Sequence, residues 1–104
     1  MKQITVRDEF ENKYNLEFSK ASIVQMEKAG FSLDKFDQQP VLMTTMLYQG
    51  AFIKNHRNTK AETMDKIYMS LKDKEGFLKK LTEMYLEQAD TLVDEGNAEW
   101  EANF

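Results

Sequence analysis

His56 is the only histidine in the chain, and its side chain is the one best suited by type to proton chemistry near neutral pH. A general base needs an orienting partner and a substrate pocket, and a zinc site usually needs about three or four ligands at suitable spacing. The surrounding segment, KNHRNTK, supplies neither arrangement. Because His56 ends a predicted helix, we expect it to complement the negative end of that helix dipole.

An acidic row on the last predicted helix is the second candidate for chemistry. A calcium loop wraps its oxygens around a tight turn with a glycine at the bend, which a straight helical row cannot do. A solvated face is therefore expected. No serine lies in a glycine elbow, and no segment resembles a phosphate-binding loop. The sequence predicts no catalytic, cofactor-binding or metal-binding residue, and hence no enzyme. The row consists of Glu83, Glu87, Asp90 and Asp94.

Charge is distributed unevenly along the chain. The first 80 residues hold all 14 basic side chains, whereas the last 24 hold seven acidic and no basic ones. We expect a single globular domain over residues 1–96 and an acidic C-terminal tail over residues 97–104. Aromatic side chains among acids are typical anchors for a protein partner, which makes Trp100 and Phe104 candidates.

The same features bear on other classes of partner. Nucleic-acid binding is disfavoured, because only Lys54, Arg57 and Lys60 form a basic cluster that could neutralise phosphates. The most apolar stretch, PVLMTTMLYQGAFIKN, is shorter than the roughly 20 apolar residues that span a bilayer. The chain has no cysteine and its N-terminus does not resemble a signal peptide. We therefore expect a cytoplasmic protein that binds neither nucleic acid nor membrane.

The elements that position these residues begin with a predicted β-hairpin. Apolar side chains recur at every second position near the N-terminus, which is the period of a strand. We expect strands over residues 2–10 and 13–19, with a turn near residues 11–13 and Glu17 on the polar face. Two strands alone are marginally stable, so the hairpin must pack on helices. The apolar face would comprise Ile4, Val6, Phe10, Tyr14, Leu16 and Phe18.

Two helices are predicted after the hairpin. The first begins at a cap formed by Ser22, with Ser19 as the competing cap, and ends at Gly30. The second covers residues 40–55, because proline favours the first turn of a helix.

Two more helices complete the predicted fold. A capping box of Thr59 and Glu62 begins the third, and the fourth runs from after Asp73 to Gly96. The predicted class is α+β, mostly α, with an N-terminal β-hairpin packed on about four helices. The expected core comprises Val41, Tyr48, Phe52, Ile67, Leu71, Leu81 and Tyr85.

The predicted helix over residues 40–55 is apolar on nearly every side. Such a helix is either central to its domain or covered by another chain. Both readings stay open. In the second, the side of Val41, Tyr48 and Phe52 enters the core and the other side binds a partner, for which flexible methionine side chains are well suited. The hypothetical partner-binding residues are Leu42, Met43, Met46, Leu47 and Ile53, together with Trp100 and Phe104 of the tail.

Four segments between Tyr14 and Glu101 resemble the small tail assembly chaperones of long-tailed phages, or prophages, of Gram-positive bacteria. They are YNLEFSKASIVQMEKAGF, VLMTTMLYQGAFIKNHR, IYMSLKDKEGFLKKLTEMYLE and GNAEWE. The resemblance implies a non-catalytic protein that coats the phage tape measure protein and helps to recruit tail tube subunits. It also implies a location in the cytoplasm of the infected bacterial host and absence from the mature virion. Members of the group often have a frameshifted longer form, whose extension contacts the tube protein.

Two alternatives come from other classes of protein. One is a small acidic adaptor or inhibitor that captures a host protein by mimicking nucleic-acid charge. The other is a helix-turn-helix regulator built from the segment KNHRNTKAETMDKIYMS. Both would bind in a strongly salt-dependent way, whereas apolar coating would survive moderate salt. For the chaperone we also expect self-association through the second side of the central helix.

Overall fold

The computed structural model describes residues 2–93 and 96–104, and it confirms the predicted class of a β-hairpin followed by helices in a mostly α fold. Residues 96–104 are exposed and form neither helix nor strand. Asp94 of the acidic row lies outside the described residues. Over the described residues the elements are β1 (Ile4–Arg7), β2 (Lys13–Leu16), α1 (Lys20–Lys28), a 3-10 helix (Leu33–Lys35), α2 (Pro40–Gly50), α3 (Ile53–His56), α4 (Ala61–Ser70) and α5 (Lys74–Thr91).

The hairpin is antiparallel, but its strands are shorter than predicted and its turn comes earlier. The Asp8 carboxylate accepts hydrogen bonds from the backbone N–H groups of Phe10 and Asn12, each at 2.9 Å. A side chain that bonds the backbone in this way favours a turn over a strand, so β1 ends at Arg7. The prediction that Phe10 lies on the apolar face is therefore wrong, because this side chain is 76% exposed in the turn.

The outer edge of β2 is covered by the segment that contains α3. The Asn15 N–H donates to Nε2 of His56 at 2.9 Å, and the Asn15 carbonyl accepts from the side chain of Asn55 at 3.0 Å. The Glu17 N–H donates to the carbonyl of Ala51 at 3.1 Å. His56 thus acts as a hydrogen-bond acceptor for the sheet, which differs from its predicted role at the helix dipole.

Glu17 is buried, which corrects the prediction that it lies on the polar face. Its carboxylate accepts hydrogen bonds from Lys54 Nζ at 2.5 Å, Gln3 Nε2 at 2.6 Å and Asn55 Nδ2 at 3.0 Å. The bond from Lys54 is the main cause that lowers the pKa of Glu17 to about 2, followed by the bond from Asn55. A buried carboxylate needs such donors, and here they join β2 to α3.

The first helix begins and ends at local sequence signals. Ser19 is its N-cap: its hydroxyl accepts from the Ser22 N–H at 3.1 Å, and the Ser22 hydroxyl accepts from the Ser19 N–H at 2.8 Å. Ser22 is therefore inside the capping box and is not the cap. Gly30 ends the helix with φ of +106°, and the Phe31 N–H bonds back to the carbonyl of Met26 at 3.0 Å. This left-handed stop agrees with the prediction.

The predicted helix over residues 40–55 is interrupted at residues 51–52, which separates α2 from α3. The interruption coincides with the hydrogen bond that the Ala51 carbonyl accepts from β2. Glycine at position 50 lets α1 and α2 approach closely, because a Cβ there would lie 2.3 Å from Sδ of Met26. Val41 was predicted in the core but is 79% exposed, since it lies in the first turn of α2, where no neighbour covers it.

The helix α4 starts differently from the prediction, whereas α5 begins after Asp73 as predicted. The N-cap of α4 is Lys60, with no side-chain hydrogen bond, so the capping box of Thr59 and Glu62 does not form. Asp73 is the N-cap of α5; it adopts a left-handed conformation with φ of +49°, and its carboxylate accepts from the Gly76 N–H at 3.1 Å.

One cluster of buried apolar side chains joins the hairpin to α1, α2 and α5 and reaches α4. Five predicted core residues, Tyr48, Phe52, Ile67, Leu81 and Tyr85, lie in it, whereas Leu71 is only partly buried against it. The cluster comprises Val6, Leu16, Phe18, Ile23, Met26, Phe31, Met43, Leu47, Tyr48, Ala51, Phe52, Met64, Ile67, Leu81, Met84 and Tyr85.

Candidate partner-binding surfaces

The side of α2 predicted to bind a partner does not form one open surface. Met43 and Leu47 are each 1% exposed and belong to the core, so their assignment to an accessible surface is wrong. Met46 and Ile53 are half-buried against the same core, and Leu42 remains substantially exposed. The helix α2 packs against α1 and α5, and its buried residues are Met43, Leu47, Tyr48 and Gly50. The central-core reading therefore describes most of this helix.

The two aromatic residues of the C-terminal segment are open to solvent. Trp100 is 84% exposed, and Phe104 is fully exposed. They are accessible to a partner, as expected, but they lie on a segment without regular structure.

An open groove lies between the hairpin turn and α4, and it was not predicted. Its volume is about 970 Å³. Phe10 lines it from the hairpin side and Met69 from the helix side, with exposures of 76% and 74%. Tyr14, which is half-buried, and Ile67, which is buried, also line the groove. Two large exposed apolar side chains thus flank one cavity.

The hairpin wall of the groove is organised by Asp8. Besides its two bonds to backbone N–H groups, its carboxylate accepts from the Asn12 side chain at 2.9 Å and from the Tyr14 hydroxyl at 3.3 Å. These bonds, above all the one from the Asn12 side chain, lower the pKa of Asp8. Burial raises the pKa of Tyr14, and the charge of Asp8 raises it further. Asp8 therefore stays ionised and Tyr14 protonated near neutral pH, which keeps the turn and Phe10 in place.

The helical wall is fixed by an aromatic cluster beneath it. The buried hydroxyl of Tyr48 donates to the carbonyl of Met64 in α4 at 2.8 Å. The Tyr48 ring packs on Tyr68 of α4 and Phe77 of α5, with centroids 5.2 and 5.9 Å apart. Burial strongly raises the pKa of Tyr48, so its hydroxyl remains a donor at all ordinary pH values. Met69 follows directly on this anchored stretch of α4.

Charged side chains surround the groove. Of the six charged residues that line it, four are acidic and two are basic. One of the basic groups is partly neutralised within the chain, because Lys66 lies 3.6 Å from Glu62 on the same helix. The groove is thus apolar at its centre with a net negative rim. Its charged lining comprises Arg7, Asp8, Glu9, Glu62, Asp65 and Lys66.

The charged residues of the groove do not form a metal-binding cluster in the described parts of the chain. In residues 2–93 and 96–104, no three His, Asp or Glu side chains are grouped so that they could hold a metal ion. A separate shallow cavity beside His56 has Asn58, Thr59 and Lys60 among its lining residues. What the larger groove offers chemically is apolar contact flanked by charge.

The sequence analysis missed the groove because its two walls, formed by residues 7–14 and residues 62–70, are far apart in the chain. One local signal could have indicated the position of Phe10. The Asp8 carboxylate accepts a hydrogen bond from the N–H of Phe10, as in an Asx turn, and this places Phe10 outside the strand. The exposure of Met69 follows from the orientation of α4, which the sequence period alone does not fix. None of the helices in the described parts of the chain is long and apolar enough to cross a bilayer.

The fold and its groove define a small α+β domain with an open apolar surface between a β-hairpin and a helix. The chain belongs to the family described as a domain of unknown function (DUF5055), whose family model matches residues 1–104. No curated protein matches the chain, and no solved structure matches it.

Proposed function

We propose that this protein is a non-catalytic phage tail assembly chaperone that coats the tape measure protein. It acts in the cytoplasm of the infected host, helps to recruit tail tube subunits and does not remain in the mature virion. The class of partner comes from the sequence resemblance. The groove between the hairpin turn and α4 is the observation that carries the mode of binding.

The exposed apolar side chains of the groove support this function. Single exposed hydrophobic residues are common on protein surfaces, but grouped ones mark interaction sites. Phe10 and Met69 are the most exposed large apolar residues between the start of β1 and the end of α4 except for Val41, and both line the same groove. An aromatic ring supplies contact area, and a methionine adapts to different shapes.

The groove suits an amphipathic helix as its occupant. In helix-in-groove recognition, apolar residues at i, i+3, i+4 and i+7 of one helix enter a groove of the partner. A tape measure protein is expected to be a long, mostly helical chain whose apolar stripes must stay covered until the tube forms. Many weakly bound copies along it would gain from multivalency and could still be displaced by tube subunits.

The rim adds a requirement on charge. Because acidic residues exceed basic ones around the groove, a helix with basic residues beside its apolar stripe would fit best. Such charges at a rim affect the rate of association more than the affinity. Binding should therefore weaken only modestly at moderate salt.

The alternatives receive less support from the geometry. In a helix-turn-helix regulator, α3 and α4 would be the two helices, but α3 has only four residues. On the exposed surface of α4, the two acidic residues Glu62 and Asp65 outnumber the basic Lys66. This excess of negative charge would repel phosphates. The acidic adaptor remains the second candidate, since the chain carries a formal net charge of −4.

Co-expression with the tape measure protein tests the proposal. The groove variant Phe10→Asp/Met69→Gln should remain folded, because both side chains are mostly exposed and such substitutions usually change stability by less than about 0.5 kcal/mol each. We expect the wild type to keep the tape measure protein soluble and the groove variant to lose this activity. Circular dichroism of the purified variant checks that the fold is intact.

Leu42→Asp is the matched control, because it changes an exposed apolar residue of the surface predicted on α2. We expect it to retain full activity. Loss of activity in Leu42→Asp with full activity in the groove variant would place the partner surface on α2 and refute the role of the groove. Insoluble tape measure protein with the wild type would refute the chaperone function itself.

A further inference from the structure

The two edges of the hairpin differ in a way that the hydrogen bonds reveal. The N–H and carbonyl of Asn15 both bond to α3, so these groups point away from β1. Asn15 lies directly opposite Thr5 in the register. Two residues that lie opposite each other in an antiparallel pair behave alike. Either both point their N–H and carbonyl toward the other strand, or both point them away from it. The backbone groups of Thr5 therefore point to the outer edge of β1.

The outer edge of β1 is an open strand edge. By the same alternation, the N–H and carbonyl of Arg7 also point outward, and the side chains of Thr5 and Arg7 are exposed. In the described part of the chain, no hydrogen bond from another element reaches these backbone groups. The outer edge of β2 is instead covered by α3. An edge of unpaired N–H and carbonyl groups is a template for a further strand.

The solvent face of the hairpin carries two basic side chains, Arg7 of β1 and Lys13 of β2. Arg7 and Lys13 lie directly opposite each other, and like charges so placed are destabilising. The Glu11 carboxylate lies 4.0 Å from Nε of Arg7, and both side chains are mostly exposed. Such a contact contributes little in water. A strand added beside β1 would lie next to Arg7. Carboxylates on the solvent face of that strand would be attracted to this side chain.

The segment EWEANF, residues 99–104, has the pattern that such a strand requires. Trp100, Ala102 and Phe104 alternate with polar residues and would share one face of a strand. Glu99 and Glu101 would share the other face. This segment is exposed and has no regular structure in the single chain.

We propose that residues 99–104 of a second copy of this chain add to β1 as the third strand of the hairpin sheet. The apolar residues of the segment then continue the face of Ile4 and Val6, and Glu99 and Glu101 lie on the face of Arg7. Charge complementarity favours this occupant, because Arg7 on the solvent face of β1 is basic and Glu99 and Glu101 are acidic. Main-chain hydrogen bonds supply the affinity, as in other cases of strand addition.

A second copy is the source because the chain's own segment points into solvent. Residues 96–104 are exposed, with Trp100 and Phe104 open to solvent, and they do not pair with β1 in the single chain. The segment is therefore accessible to the β1 edge of another copy.

Thr5→Pro tests the proposal at a single backbone group. Proline removes the outward N–H, and an edge strand tolerates it where that N–H faces solvent. The hairpin of the single chain therefore persists, which circular dichroism checks. The matched control is Thr5→Val, which keeps the N–H but also loses the exposed hydrogen bond from the Thr5 hydroxyl to Asn15. Sedimentation across a concentration series should show self-association of the wild type and of Thr5→Val. In Thr5→Pro, the dissociation constant should rise at least about tenfold.

A chain shortened by residues 96–104 tests the other half of the contact, and we expect it to be monomeric. Association that survives this deletion would mean that the edges pair with each other or that another surface is used, and it would overturn the proposal. Equal association of Thr5→Pro and Thr5→Val would overturn it as well. A wild-type chain that stays monomeric at all concentrations would exclude a second copy as the occupant.

Discussion

Replacing Glu17 by Gln should make the protein less stable at neutral pH and remove a large part of its sensitivity to acid. Glu17 is 4% exposed, and three side-chain donors from Gln3, Lys54 and Asn55 surround its carboxylate. Glutamine has nearly the same shape but cannot be charged. The substitution therefore tests the charge of this group with little change in packing.

The magnitude follows from the pKa of Glu17, which folding lowers from 4.5 to about 2. At about 1.36 kcal/mol for each pKa unit, the ionised form would stabilise the fold by at most roughly 3.4 kcal/mol. The side chain of Lys54 is 32% exposed, so solvent screening reduces this figure, and about 1–2 kcal/mol is expected. Because the folded pKa lies below the unfolded one, this stability is present above about pH 4.5 and is lost as the pH falls toward 2.

Urea denaturation at pH 7 and at pH 3 measures the effect. The free energy of unfolding of Glu17→Gln should fall by about 1–2 kcal/mol at pH 7, and the difference from the wild type should shrink at pH 3. Glu27→Gln, which changes an exposed carboxylate of α1, is the control and should behave like the wild type. Equal stability of Glu17→Gln and the wild type at pH 7, or a difference that does not depend on pH, would refute the reasoning.

Three further substitutions test the packing, each by urea denaturation. Phe52→Ala should cost about 3–5 kcal/mol, because the side chain is fully buried; a loss well under about 1 kcal/mol would remove Phe52 from the core. Gly50→Ala should cost about 1–3 kcal/mol, since its Cβ would overlap Sδ of Met26; an unchanged midpoint would mean that α1 and α2 are not in close contact. Gly30→Ala should lower the free energy of unfolding by about 1 kcal/mol. The cause is the positive φ alone, because no atom lies within 4 Å of the added Cβ. A stabilised protein would contradict the left-handed end of α1.

Local signals in the sequence predicted the elements that depend on neighbours along the chain. The period of two found the hairpin, and Gly30 and Pro40 correctly marked the end of α1 and the start of α2. The burial of Tyr48 and Phe52 was also predicted correctly, although Val41 of the same predicted side is exposed. In each case the physical cause lies within a few residues of the signal.

Long-range contacts explain what the sequence could not predict. The alternating pattern of the hairpin predicts that Glu17 is exposed. It is buried instead because Lys54, 37 residues later, bonds to it. The interruption after α2 coincides with the hydrogen bond that the Glu17 N–H donates to the Ala51 carbonyl, and no helix pattern in the sequence indicates this bond. The groove arises where the hairpin turn and α4 lie side by side, so neither half alone indicates it.

Direct binding of the purified protein to a soluble segment of the tape measure protein tests the central claim that the groove covers an apolar helical stripe. The segment should carry an apolar stripe at i, i+3, i+4 and i+7 with basic residues beside it. We predict that the wild type binds it at moderate salt and that Phe10→Asp/Met69→Gln binds at least about tenfold more weakly, a difference of about 1.4 kcal/mol. Leu42→Asp should bind like the wild type. Equal binding by the wild type and the groove variant, or binding by the wild type that disappears at moderate salt, would contradict the account.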